Sequence, residues 1–135
     1  MKILIDTNVL LDVLQKRDPW CAEAQAIFHA CEDGLVEGSI SALSVMNLVY
    51  IMRKELSPDR ILHVLELLDS YFSIEDVLHS DLLCAAKRPF KDYEDAVHVA
   101  CAQRIGAVYV VTRNLRDFAN SPVRAVEPAQ FLQHL

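Results

Sequence analysis

Glycine is scarce, with three in 135 residues. That excludes a Gly-rich loop cradling phosphates with its backbone amides. The four cysteines, Cys21, Cys31, Cys84 and Cys101, form no Cys-x-x-Cys pair, and each falls in a helix-like segment. A disulfide scaffold or a zinc knuckle is therefore set aside in favour of buried free thiols in a reducing compartment. No apolar run approaches the ~18 residues a bilayer span requires. The opening Met1-Lys2-Ile3-Leu4-Ile5-Asp6 reaches an acid too early for a signal peptide. These absences point to a soluble, cytoplasmic chain with no membrane partner. Positive charge is also short: 19 acids against 13 bases give a formal net charge of −6. A broad positive field for nucleic acid is excluded. The balance suits a site built from carboxylates, which needs a cation.

What is present is an ordinary globular composition, 53% apolar and 24% charged. The length suits one domain, residues 1–135, large enough for a core without staples. No linker, repeat or low-complexity tract interrupts it. Short apolar runs alternate with amphipathic stretches. Strands are predicted at Ile3–Ile5, Val36–Ile40, Tyr71–Ile74, Ala107–Val111 and Arg124–Val126. Helices are predicted from Thr7 to Leu14, from Pro19 to a Gly34 cap, from Ser41 to Leu56, from Pro58 to Leu68, from His79 to Lys87, from Asp92 to Ile105, and from Pro128 onward. Ser57 before Pro58 is the favoured cap order. Strands separated by helices imply an α/β fold with a parallel sheet covered on both faces. In such sheets, ligands bind beyond the carboxyl ends of the strands.

Three segments place polar residues there. Asp6 directly follows the first strand, with Thr7 and Asn8 after it. Asp92 and Asp95 lie three apart at a helix start and share a face. Thr112 ends the most strand-like run and is followed by Asn114 and Asp117. Each has a plain structural role open to it as a helix cap, a dipole partner or a turn former. Together they put several acids at one sheet edge, where carboxylates repel unless a cation intervenes. Oxygen-only donors favour Mg²⁺ or Mn²⁺ over zinc. A fourth signal is the stripe Ser41, Ser44, Asn47 on an otherwise apolar helix, read as facing the same pocket. His98, three residues after Asp95, can reach its rim or simply be buried. Lys87, Arg88, Lys91, Arg113 and Arg116 flank the acidic motifs; Lys91, Arg113 and Arg116 are the candidate phosphate contacts. Phe90 and Tyr93 are open to base stacking or to packing. A haloacid-dehalogenase-type phosphohydrolase also places Asp after its first strand, but needs a second Asp where Asn8 stands.

Across essentially the whole chain, the Asp6-Thr7-Asn8, Glu94-Asp95-Ala96 and Thr112-Arg113-Asn114 with Asp117-Phe118 segments resemble the PIN-domain family. That family of metal-dependent nucleases includes the VapC-like toxin ribonucleases of bacterial toxin–antitoxin pairs. The resemblance implies a three-layer α/β/α sandwich with a central parallel sheet. It implies Mg²⁺ or Mn²⁺ held by the catalytic acids Asp6, Asp95 and Asp117, with Asp92 a further candidate, and hydrolysis of an RNA phosphodiester. Thr7, Asn8, Ser44, Asn47, Thr112 and Asn114 would support that pocket. A small antitoxin protein is the implied partner, with the apolar first helices as part of its groove, and a homodimer is a further expectation. The family's usual second acid, a Glu, matches Asn47 here, so the resemblance implies one ligand charge fewer. The alternative reading is a degenerate PIN-fold binding module with weak catalysis.

Overall fold

The computed structural model describes residues 1–135. In chain order the elements are β1 (Lys2–Ile5), α1 (Thr7–Leu14), α2 (Cys21–Glu32), β2 (Glu37–Ser41), α3 (Ala42–Met52), α4 (Pro58–Tyr71), β3 (Ser73–Glu75), α5 (His79–Ala86), α6 (Tyr93–Arg104), β4 (Tyr109–Val111), a 3-10 turn (Leu115–Phe118), β5 (Arg124–Val126) and α7 (Pro128–Leu132). The five strands form one parallel sheet in the order β3-β2-β1-β4-β5. The chain winds outward from β1 through β2 to β3, then crosses back to β4 on the other side of β1. The reversal lies between β1 and β4, the place where open α/β sheets leave a crevice.

The alternation of β1 explains the layering. Ile3 and Ile5 point to one face, where they pack with Val9, Leu10, Ile27, Leu48, Leu68 and Phe131 from α1, α2, α3, α4 and α7. Leu4 points to the other face and meets Val99, Cys101 and Ala102 of α6. Both faces of the sheet are covered, so its strands read as continuous apolar runs rather than as alternating ones. The architecture is the expected three-layer α/β/α sandwich.

Local chemistry sets most boundaries. The Asp6 and Ser57 side chains cap α1 and α4, Asp92 caps α6, and Ser41 caps α3. Gly34, with φ of +74°, stands just past the C-terminus of α2. Gly38 in β2 has a different reason: a Cβ there would lie 2.5 Å from Cys31 Sγ and 2.8 Å from a ring carbon of Phe72. The cysteines are all free, with Cys21 and Cys101 buried and Cys31 and Cys84 half-buried. Burial pushes the Cys31 and Cys101 thiols up to about 11. No helix is long and apolar enough to cross a membrane.

Several boundaries shift. Helix α3 ends at Met52 rather than Leu56, and α4 continues to Tyr71, which displaces β3 to Ser73–Glu75. Helix α6 is buried along its middle, from Ala96 through Ala102, with His98 the one polar side chain there. It is wedged between the sheet and α5, and its small residues permit that close approach. The apolar residues of α1 and α2 pack into the core, with Val13 and Leu14 only partly buried. An open apolar cleft lies between α3 and α5, lined by Leu43, Met46, Leu78 and Leu82, with a volume of about 620 Å³.

Candidate active site

The carboxyl edge of β2, β1 and β4 opens into a cleft of about 370 Å³. Asp6 enters it from the end of β1, Asp92 and Asp95 from the first turn of α6, and Asp117 from the 3-10 turn after β4. Thr7, Asn8, Asn47, Glu94, His98 and Asn114 also line it. No lysine or arginine does.

Asp6 is held most firmly. Its backbone N–H donates to Val111 O across to β4 at 2.9 Å. Its Oδ1 accepts from the Thr7 amide at 2.8 Å, and its Oδ2 accepts from the Thr112 hydroxyl at 2.8 Å. Thr112 is itself fully buried, and its Oγ1 accepts from the Asn114 amide at 3.0 Å. One threonine thus ties the acid of β1 to the turn that carries Asn114 and Asp117. Asp92 orients the start of α6: its Oδ1 accepts from the amides of Glu94 at 2.8 Å and Asp95 at 3.3 Å.

The polar stripe on α3 bonds to the site one residue at a time. Ser41 Oγ lies 2.9 Å from His98 Nδ1, and Ser44 Oγ lies 2.9 Å from Thr7 Oγ1. Asn47 Nδ2 donates to Glu94 Oε2 at 3.1 Å. Only Asn47 of the three lines the cleft; Ser41 and Ser44 are buried behind it. His98 is 2% exposed, and burial lowers its pKa against the opposing pull of the nearby carboxylates. Asn8 Oδ1 accepts from the Arg113 amide at 3.5 Å, which places it between α1 and the end of β4.

Electrostatics single out Asp95. Burial, then the charges of Asp6, Asp92, Asp117 and Glu94, push its carboxyl up to about 7. A site that makes a carboxylate this reluctant to ionise is one where a positive charge is stabilised. As they stand, no three of these groups are drawn together closely enough to ligate a single ion. The donors are nonetheless hard oxygens with no cation among them, the set that suits Mg²⁺ or Mn²⁺.

Arg113 is a correction. Its Nε and Nη2 donate to Asp12 at 2.6 and 3.1 Å, and its guanidinium lies 4.0 Å over the Trp20 ring. Asp12 is fully buried and has to be paired, so this arginine fastens α1 to the end of β4 and is not free for phosphate. Lys91 and Arg116 line a smaller recess of about 170 Å³ that shares Asp92 and Asp117 with the main cleft. Phe90 packs edge-on against Phe118, with ring centroids 6.2 Å apart, and the Tyr93 hydroxyl donates to Leu82 O at 2.8 Å. Glu94 was given no role from sequence. Its signal is its spacing: with His98 at i+4 it marks a second face of α6 turned to the cleft.

A family model described as PIN domain matches residues 2–116. Among solved structures, a toxin–antitoxin complex from Klebsiella pneumoniae is similar, at 24% identity and a TM-score of 0.70, over 93% of this chain and 97% of that one. A DNA-bound VapBC from Salmonella typhimurium matches at 24% identity and a TM-score of 0.70, over 95% and 98%. A Mycobacterium tuberculosis VapC20, described as a toxin that cleaves the sarcin–ricin loop, matches at 13% identity and a TM-score of 0.72, over 93% and 99%. No curated protein matches by sequence.

Proposed function

The chain belongs to the PIN-domain family, and from that premise we propose that it is an Mg²⁺- or Mn²⁺-dependent endoribonuclease, the toxin of a toxin–antitoxin pair. The observation that carries this reading is the convergence of Asp6 from the end of β1, Asp92 and Asp95 from the start of α6, and Asp117 from the 3-10 turn on one cleft that no lysine or arginine lines. Asp6 and Asp95 would be the principal carboxylates to hold the ion, with Asp117 and Asp92 completing the set. When bound, the ion supplies polarisation of a phosphoryl oxygen and a lower pKa for water in the site.

The chain's own residues do the positioning. Thr112 and the Thr7 amide fix the rotamer of Asp6. Asn8 and Asn114 present amide groups at the cleft wall, where they can orient water or a phosphate oxygen. Burial and the neighbouring acids raise Asp95 to about 7 in the ion-free cleft, and a bound cation would favour its ionised form. Lys91 and Arg116, beside the acids but outside the main cleft, are suited to the phosphates that flank the scissile one. The acids draw in the cation, and the cations of the neighbouring recess draw in the strand.

An antitoxin partner is supported by the toxin–antitoxin assemblies among the similar folds. The apolar cleft at Leu43, Met46, Leu78 and Leu82 is a surface that such a protein would cover.

The test is cleavage of single-stranded and structured RNA by the purified protein with Mg²⁺, with Mn²⁺ and with EDTA. Activity should require the ion and vanish in Asp6→Asn and Asp95→Asn. Cleavage that persists in EDTA refutes the reading. Mn²⁺ binding without cleavage of any RNA would instead identify a binding module.

A further inference from the structure

Glu94 and Asn47 form the one side-chain bridge across the mouth of the cleft. Asn47 sits on α3 and Glu94 on the first turn of α6, 47 positions apart in the chain, joined by the 3.1 Å bond from Nδ2 to Oε2. The direction of that bond is fixed by chemistry, because only the amide nitrogen can donate to a carboxylate. Glu94 is exposed, and four other carboxylates line the same cleft. An unrestrained glutamate there would swing into solvent, driven by repulsion and by its own rotamer entropy. The Asn47 amide opposes that. Glu94 lines the cleft next to Asp95 and one turn before His98 on α6. Its backbone is fixed as well, by the Asp92 cap.

We propose that Glu94 supplies an acid of the cation site and that Asn47 is its positioning residue, holding the carboxylate over the cleft from the opposite helix. This rests on the metal-dependent reading above. Asn47 then contributes no charge of its own; it keeps in place a charge carried by the neighbouring helix. Removing either partner should have a similar effect on cation binding, and removing both should cost little more than removing one.

The experiment is Mn²⁺ binding to the full chain without RNA, read by calorimetry and by the electron paramagnetic resonance of free Mn²⁺. Glu94→Gln keeps the acceptor for Asn47 and removes the charge; it should weaken Mn²⁺ binding about tenfold, equivalent to about 1.4 kcal/mol. Asn47→Ala should weaken it by about threefold to tenfold, and Asn47→Ala with Glu94→Gln should be no weaker than Glu94→Gln within about twofold. Asn47→Gln, which keeps a donor, should recover part of the loss. Thermal melts of all four variants should match the parent, since both residues lie at the cleft mouth. Unchanged Mn²⁺ affinity in Glu94→Gln overturns the proposal, and so do single losses that add in full. Failure of the broader reading looks different: then the parent binds no Mn²⁺ and Asp6→Asn changes nothing.

Discussion

Replacing Asp95 by Asn should make the cation-free protein more stable while abolishing its activity. Asp6 has hydroxyl and amide donors on its oxygens, whereas Asp95 is surrounded by carboxylates. A rise from 3.8 to about 7 corresponds to a ceiling of about 4 kcal/mol at about 1.36 kcal/mol per pH unit. Asp95 is only part-buried, and water and salt screen its neighbours, so the expected gain is about 1–2 kcal/mol. The sign follows from proton counting. Below the unfolded value of 3.8 the carboxyl is protonated in both states and contributes nothing. Between there and about 7 the unfolded chain releases the proton while the folded chain keeps it, so stability falls as pH rises. Above that window the full penalty persists. Asn carries none of it.

The assay is urea denaturation in EDTA at about pH 4 and about pH 8, at low salt. The stabilities of parent and Asp95→Asn should nearly coincide at the acid end and separate in favour of the variant at the alkaline end. Mn²⁺ should then stabilise the parent and leave the variant unmoved, since only binding to the folded state shifts the equilibrium. A variant less stable than the parent at pH 8, or a difference that does not change with pH, would refute the electrostatic account of the cleft.

Three further outcomes are expected. Thr112→Val removes the donor to Asp6 and the acceptor for the Asn114 amide; it should cost about 1–3 kcal/mol in denaturation and lower Mn²⁺ affinity in the same preparations. Arg113→Ala leaves the buried Asp12 unpaired and should cost about 3–5 kcal/mol, while Asp12→Leu with Arg113→Met should recover most of it, both read by urea midpoints. Lys91→Ala with Arg116→Ala should leave Mn²⁺ binding unchanged and reduce the salt slope of single-stranded RNA binding by about 1.4, from about 0.7 per lost phosphate contact.

The parts legible in the sequence are those governed by chemistry at strand and helix ends. Asp6 is readable because an acid closing an apolar strand must leave the sheet at its carboxyl edge. Ser57-Pro58 and Asp92 are readable because cap positions favour those side chains. Arg124–Val126 is found at its full length. The parts that escaped depend on partners far along the chain. Arg113 looks like a phosphate-binding residue locally, and only the arrival of Asp12 and Trp20 beneath it shows otherwise. Asn47 looks like a lost charge until Glu94 is seen opposite. The end of α3 is masked in the sequence because Leu56, which packs on the core from the turn, continues the apolar pattern after the helix has stopped.

Two consecutive residues after β4 secure both ends of the first helix. Thr112 grips Asp6 at its start, and Arg113 grips Asp12 near its end, across 106 and 101 positions of sequence. A nascent chain emerging from the ribosome therefore carries its first acid for most of its synthesis with nothing to aim it. A chain cut short before β4 would lack both the hydroxyl that aims Asp6 and the guanidinium that pairs the buried Asp12.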